Sequence, residues 1–189
     1  MKNELLVKGI IIYVAAITIY IGAIDPPIMS SGITQPLQQA EASLVAGLQS
    51  MLGGDAHLSD TGDVINYPSS GTSLFIGPMC VGVREALIFS ILLLLFLGVP
   101  LKVKLIGLGV FIPAILIENI ARLAILAPVA GSYGRAAMSS VHGAVWLYGQ
   151  ALFLLALFLT WFQFFAKPAI RKVKRSAEEK QKREKAKIE

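Results

Sequence analysis

The sequence is poor in cysteine and in charged residues, and both shortages exclude classes of protein. The single cysteine, Cys80, excludes an internal disulfide, a CxxC redox pair and a zinc site built from several thiolates. Only 15% of the 189 residues are charged, against about 25% in soluble domains. With 55% hydrophobic residues and a mean hydropathy of +0.68, the chain is predicted to be an integral membrane protein. One cysteine and two histidines make no convincing ligand set, so we expect no metal and no organic cofactor.

Basic residues are also missing from one long stretch of the chain. None of the 17 lysines and arginines lies between residues 25 and 79, whereas ten lie after Trp161. A nucleic-acid-binding protein spreads its basic residues over one folded face. Segregation along the chain is instead what membrane orientation requires, so we expect a membrane and no nucleic acid as partner.

Four stretches are apolar and long enough to cross a membrane, which takes about 20 residues. The predicted fold is all-α, a four-helix transmembrane bundle in a membrane domain over residues 1–166, followed by a basic tail over 167–189. The predicted spans are 5–24, 80–99, 105–127 and 141–166.

The positions of the basic residues predict the orientation of these spans. Two lysines flank the first span, two lie between the second and third, and ten lie in the tail. The positive-inside rule then gives cytoplasmic N- and C-termini, with 25–79 and 128–140 outside the cell. An uncleaved first span is favoured over a signal peptide, because its apolar stretch is long and Lys8 comes late.

The predicted extracytoplasmic loop, 25–79, has structure of its own. Asp25-Pro26-Pro27 is expected to end the first helix. Residues 36–52 have apolar side chains at helical spacing, typical of an amphipathic helix that lies on the outer leaflet or packs over the spans. Val64–Tyr67 and Ser73–Ile76 flank a turn, which predicts a short β-hairpin. The apolar positions of the helix are Leu37, Ala40, Leu44, Leu48 and Met51.

Three chemically reactive side chains are predicted to lie at one membrane depth. Cys80 begins the second span and His142 opens the fourth, both at their outer ends. Arg122 comes 17 residues after the start of the third span, roughly 25 Å along a helix, which also places it near the outer surface. Ionisable groups inside a membrane are costly and point to function, so these three are candidate catalytic residues.

The three side chains fit a nucleophilic cysteine. A neighbouring imidazole can take the thiol proton and later return it to a leaving amine. A guanidinium aimed at the scissile carbonyl can stabilise an oxyanion. Asn119, Glu118 and Arg84 are candidates for orienting a side chain or the substrate. Each of these residues also has a structural interpretation. Cys80 can be a buried apolar residue, and Glu118 and Arg122 can form an ion pair. Arg84 and Glu85 can form hydrogen bonds with polar neighbours in the bundle.

The residues around these positions resemble the exosortase/archaeosortase family of membrane transpeptidases. That family has a cysteine, an Asn-x-x-Arg and a histidine at the outward ends of consecutive membrane helices. The similarity covers roughly residues 60–165, and the chain departs from it in being shorter than many members and in having Arg84-Glu85 after the cysteine. The matching segments are Gly77–Val83, Glu118–Arg122 and Val141–Trp146.

The resemblance implies a cysteine transpeptidase or protease that acts on exported proteins. Its substrates end in a short motif, a hydrophobic helix and a basic cluster, and the new C-terminus passes to a lipid or surface acceptor or to water. By this resemblance Cys80 is the nucleophile that forms a thioacyl intermediate, Arg122 steadies the tetrahedral intermediate and His142 is the general acid and base. The enzyme would be a multi-pass protein of the cell membrane with its active site at the extracytoplasmic face.

Two other classes of function remain open from the sequence. In a non-catalytic assembly or binding protein, the amphipathic loop helix is the partner surface and Cys80 is dispensable. In a small transporter subunit, Glu118 and Arg122 line a pathway and Cys80 is again dispensable.

Overall fold

The computed structural model describes residues 11, 14–144 and 148–185, and over these ranges the chain is mostly helical. Lys2, Lys8 and most of the first half of the predicted first span lie outside the described residues, as do Trp146 and the last four residues of the tail. The helices are α1 (Val14–Ser30), α2 (Gln35–Met51), α3 (Val83–Leu95), α4 (Leu101–Ala144) and α5 (Gln150–Lys185), and the strands are β1 (His57–Leu58), β2 (Val64–Tyr67) and β3 (Thr72–Phe75).

Two helices in the described ranges are long and apolar enough to cross a membrane. They are Leu101–Gly134, the main part of α4, and Gln150–Lys185, which is α5. The pair of α1 and α2, bent by 73°, meets the same criterion when it is taken as one broken span. Helix α3 has 13 residues, or about 20 Å, against a hydrocarbon core of about 30 Å. The chain is thus a helical membrane protein, and the four-span bundle stays a prediction.

Helix α4 continues well past residue 127, where the third span was predicted to end. Its backbone is interrupted at Gly134, with φ 77° and ψ 178°, and is helical again up to Ala144. Such a backbone is open to glycine and strained for other residues. The 128–140 connection predicted from the sequence is therefore mostly helical, and His142 lies on the segment that follows the break.

Helix α1 also extends further than the sequence suggested. It passes through a π-helical segment at Tyr20–Ile24 and continues to Ser30, so the two prolines do not end it. They lie in the first turn of the segment Asp25–Ser30, where a missing N–H group costs little.

Helix α2 buries the face opposite to the one expected for an amphipathic helix in water. Its apolar Leu44, Leu48 and Met51 are exposed. The buried polar side chains have partners, since Gln38 donates to Thr34 and Gln49 accepts from Tyr67. Exposed apolar side chains suit a helix in contact with lipid, which is one of the two placements predicted from the sequence. Its buried residues are Gln38, Glu41, Ala42, Val45, Ala46 and Gln49.

A small antiparallel sheet in the order β1-β2-β3 connects α2 to α3, where the short hairpin was predicted. Strand β2 pairs with β3 from Val64↔Phe75 to Tyr67↔Thr72. The sheet buries Ile65 and Ile76 in a cluster with residues of α2 and α4.

A second cluster, rich in aromatic side chains, joins α3, α4 and α5. Phe89 packs edge-on against Phe111, and Trp161 is fully buried beside them. Asn119 and Arg122 lie on α4 between Ile115 of this cluster and Leu123 of the sheet cluster. The two cores therefore hold the polar part of α4 from both sides.

Candidate functional site

Asn119 is the centre of a buried hydrogen-bond network. Its side chain is 1% exposed, and its Nδ2 atom donates to the Cys80 carbonyl oxygen at 2.6 Å and to Glu41 Oε2 at 2.7 Å. Its Oδ1 atom accepts a hydrogen bond from the Arg122 guanidinium. One amide thus joins the cysteine turn, α2 and the arginine.

Cys80 ends a short 3₁₀ turn, Pro78–Cys80, directly before α3. The turn is closed by the Cys80 N–H, which donates to the Gly77 carbonyl at 2.9 Å. The thiol is free, and the residue is partly buried. Gly82 then takes φ 68°, and a Cβ atom there would lie 3.2 Å from the Asn119 Cβ. Glycine at this position lets the cysteine turn lie against α4 and reverse into α3.

Arg122 is 4% exposed and has polar partners on two helices. Besides Asn119, it donates from Nη1 to Gln150 Oε1 on α5 at 3.2 Å. Over the described residues it forms no ion pair with Glu118, which was one reading of their spacing. Its Nε atom has no hydrogen-bond partner in the same part of the chain, so the guanidinium keeps an unused donor.

Asn119 joins Arg122 to the Cys80 turn, whereas within the described residues no hydrogen bond joins the His142 side chain to Cys80 or Arg122. His142 is partly buried on the helical segment after Gly134. A thiol, an imidazole and a guanidinium are the groups that acyl transfer through a thioester requires. Their catalytic roles stay a prediction.

The other two predicted orienting residues have different surroundings. Arg84 forms a salt bridge with Asp25 at 3.2 Å, and Asp25 also accepts a hydrogen bond from Tyr20. This contact ties α3 to α1, separately from the Asn119 network. Glu118 is partly buried one residue before Asn119, and its Oε2 atom has no partner in the described ranges. A role for Arg84 or Glu118 in substrate orientation stays a prediction.

Sequence reasoning missed two members of the network, Glu41 and Gln150. Glu41 lies off the apolar stripe of the predicted amphipathic helix and received no role from the sequence, whereas it is 1% exposed and faces Asn119. Gln150 is a polar residue near the start of an apolar run, and it is 7% exposed. The rule that draws attention to polar groups inside spans would have found Gln150. No feature of the neighbouring sequence distinguishes Glu41 from an exposed glutamate on the same helix.

A partly open pocket of about 430 Å³ lies between the C-terminal end of α2 and the part of α4 that precedes the break at Gly134. Tyr67 donates to Gln49 Oε1 at 2.7 Å in its wall, while Gln49 Nε2 has no partner in the described ranges. Burial raises the pKa of the Tyr67 phenol, which therefore stays protonated at neutral pH. Gly131 lies nine residues beyond Arg122, about 13 Å along α4. The pocket is lined mainly by Gln49, Asp55, Tyr67, Ser69, Pro128 and Gly131.

The sequence was compared with known families, curated proteins and solved structures. A family model described as transmembrane exosortase matches residues 6–162, which is most of the chain. No curated protein and no solved structure matches it. The matched range contains the positions of Cys80, Asn119, Arg122 and His142, and the match confirms the family resemblance seen in the sequence. The chain belongs to the transmembrane exosortase family.

Proposed function

We propose that this protein is a membrane cysteine transpeptidase that cuts the C-terminal sorting signals of exported proteins. The observation that carries the proposal is the bonding of Asn119 to both the Cys80 carbonyl and Arg122. This contact supports a rigid arrangement of the nucleophile's backbone and a buried cation, and family membership supports the class of reaction.

In the first step, the His142 imidazole takes the proton of the Cys80 thiol. The thiolate attacks the scissile carbonyl, and the negative charge that develops on its oxygen is stabilised by the Arg122 guanidinium. The tetrahedral intermediate then collapses by breaking the C–N bond. The amine leaves with the proton held by His142, and a thioester on Cys80 remains.

In the second step, an acceptor nucleophile attacks the thioester. His142 takes its proton, a new bond forms to the substrate's carbonyl carbon, and the Cys80 thiolate leaves and is protonated again. A lipid or surface acceptor completes a transfer, and water completes a hydrolysis. Both outcomes use the same thioester.

The proposal includes a topology and a class of partner. It has four spans, cytoplasmic N- and C-termini and an active site at the extracytoplasmic face. Its substrates carry a short motif, a hydrophobic helix and a basic cluster at the C-terminus. The segregation of basic residues along the chain supports this topology. In the assembly and transport alternatives, by contrast, the thiol is dispensable.

Mass spectrometry of exported proteins tests the proposal. A deletion strain is complemented with the wild-type chain, with Cys80→Ala or with Met79→Ala, which changes the exposed neighbour of the cysteine. We expect C-terminal tails to be removed with wild type and Met79→Ala and to persist with Cys80→Ala, at equal amounts of membrane protein. Equal trimming with Cys80→Ala would overturn the proposal and favour an assembly or transport role.

A further inference from the structure

Glu41 is a buried acidic residue to which the proposed reaction assigns no role. It lies on α2, away from the apolar positions that predicted this helix, and it is 1% exposed. A carboxylate taken out of water costs free energy unless it is well hydrogen-bonded. Among the described residues, its recorded hydrogen-bond partner is Asn119 Nδ2, at 2.7 Å.

The partners of Asn119 determine the orientation of its amide. The two N–H bonds of Nδ2 go to Glu41 and to the Cys80 carbonyl, and Oδ1 accepts from Arg122. A flipped amide would set its oxygen against the Cys80 carbonyl oxygen and its NH₂ group against the Arg122 guanidinium. Two acceptors on one side and a cationic donor on the other thus select a single orientation.

Glu41 is one of the two acceptors that make this selection, with its Oε2 atom 2.7 Å from Asn119 Nδ2. A carboxyl oxygen and an amide oxygen can both accept this N–H bond, so the selection requires an acceptor at residue 41 and no charge. The Cys80 carbonyl alone would satisfy only one of the two N–H bonds, and a buried N–H without a partner is costly. Without Glu41, the amide would gain by rotating away from the cysteine turn.

We propose that Glu41 is a positioning residue that holds Asn119 against both the Cys80 turn and Arg122. The inference rests on the proposed function, since it gives α2 a part in the same active site. Glu41 acts through Asn119 and does not touch the reacting atoms. Helix α2 is then part of the catalytic unit, in addition to any contact that it makes with lipid.

Two substitutions at Glu41 separate hydrogen bonding from charge. Glu41→Gln keeps an acceptor oxygen for Asn119, and Glu41→Ala removes it. Gln38→Ala is the matched control, because Gln38 is buried one turn away on the same helix and its side chain donates to Thr34, away from the Asn119 network. We expect trimming rates within about threefold of wild type for Glu41→Gln and Gln38→Ala, and a loss of about tenfold or more for Glu41→Ala. Equal rates for Glu41→Ala and Gln38→Ala would overturn the inference.

A double-mutant cycle tests whether Glu41 acts through Asn119. In the Asn119→Ala background, Glu41→Ala should cause no further loss, because the amide that it orients is gone. Independent, multiplying losses would assign Glu41 to general stability and contradict the inference. The residual trimming rate of Asn119→Ala must therefore be measured first in the same strain.

The reactivity of the single thiol gives a readout that needs no substrate. The full-length protein in proteoliposomes is alkylated with iodoacetamide at high pH, on the plateau where the thiol is fully ionised, so that the rate reports access to Cys80. We expect wild type, Glu41→Gln and Gln38→Ala to react alike, and Glu41→Ala to react several-fold faster because its cysteine turn is released. An unchanged rate in Glu41→Ala would overturn the positioning role. If wild type trims no exported protein, the proposed function fails, and the alkylation rates still decide the role of Glu41.

Discussion

At the scale of single residues, the cysteine turn depends on close contact between Gly82 and Asn119. Two predictors of reactivity were visible in the sequence, the depth of Cys80 and the Asn-x-x-Arg spacing on one helix face. The contact between these two segments was not visible in the sequence. It depends on a left-handed glycine and on burial by α2. Sequence patterns describe helix faces, and they do not say which faces meet.

Gly82 provides a test of this contact with a control in the same chain. Gly82 and Gly98 both have positive φ, at 68° and 78°, so alanine costs each about 1–2 kcal/mol of backbone strain. A Cβ atom at Gly82 would press on Asn119. A Cβ atom at Gly98 would have nothing within 4 Å among the described residues. We expect similar losses of thermal stability in detergent for Gly82→Ala and Gly98→Ala, and a loss of trimming only for Gly82→Ala. A trimming loss in both variants would indicate that backbone strain alone is responsible.

At the scale of elements, close packing between α4 and α5 depends on Gly107. A Cβ atom at Gly107 would overlap the indole ring of Trp161 and lie 3.0 Å from Leu93 Cδ2. A Cβ atom at Gly109, two residues further along α4, would have nothing within 4 Å among the described residues. Alanine at Gly107 therefore tests helix packing, and alanine at Gly109 tests helix propensity without a packing change.

Alanine at these two glycines should have opposite effects on stability. Gly107→Ala is expected to lower the free energy of unfolding by about 1–3 kcal/mol, because the indole must shift in a packed core. Gly109→Ala is expected to be neutral or to stabilise by up to about 1 kcal/mol through helix propensity. Thermal unfolding in detergent measures both. Equal melting temperatures for the two variants would contradict the packing described for α4 and α5.

Helix α2 shows why the orientation of an element cannot be read from periodicity alone. Its pattern correctly predicts a helix over nearly the same residues, 36–52 against the observed Gln35–Met51. The periodicity of apolar residues is blind to whether the surroundings are water or lipid, and the structure turns Leu44 and Leu48 outwards. The buried face was recognisable only from its partners, Asn119 and Tyr67, on other elements.

At the scale of the whole molecule, composition predicted a membrane protein, the resemblance of three short segments predicted the family, and the predicted number of four spans is not yet tested. The membrane class and the exosortase family are confirmed, whereas α3 is shorter than its predicted span and α4 and α5 are longer than theirs. Hydropathy detects apolar stretches, but helix ends depend on local backbone such as Gly98 and Gly134. The predicted orientation requires its own measurement.

Cysteine labelling can establish the orientation, because the chain has a single native thiol. In the Cys80→Ala background, Ser69→Cys places a thiol in the β2–β3 turn and Ser176→Cys places one in the tail, both at exposed positions. We expect a membrane-impermeant maleimide to label Ser69→Cys in intact cells and Ser176→Cys only after lysis. The reverse pattern would contradict the proposed orientation of the active site.

The most direct test of the central claim is a search for an acyl group on Cys80. Membranes from cells that produce the wild-type chain are digested, and the Cys80 peptide is analysed by mass spectrometry with and without neutral hydroxylamine. We predict an adduct on Cys80 that hydroxylamine removes as a hydroxamate and whose mass matches the trimmed C-terminus of an exported protein. Trimming of exported proteins by a Cys80→Ala chain, with no hydroxylamine-sensitive adduct on the wild type, would contradict it.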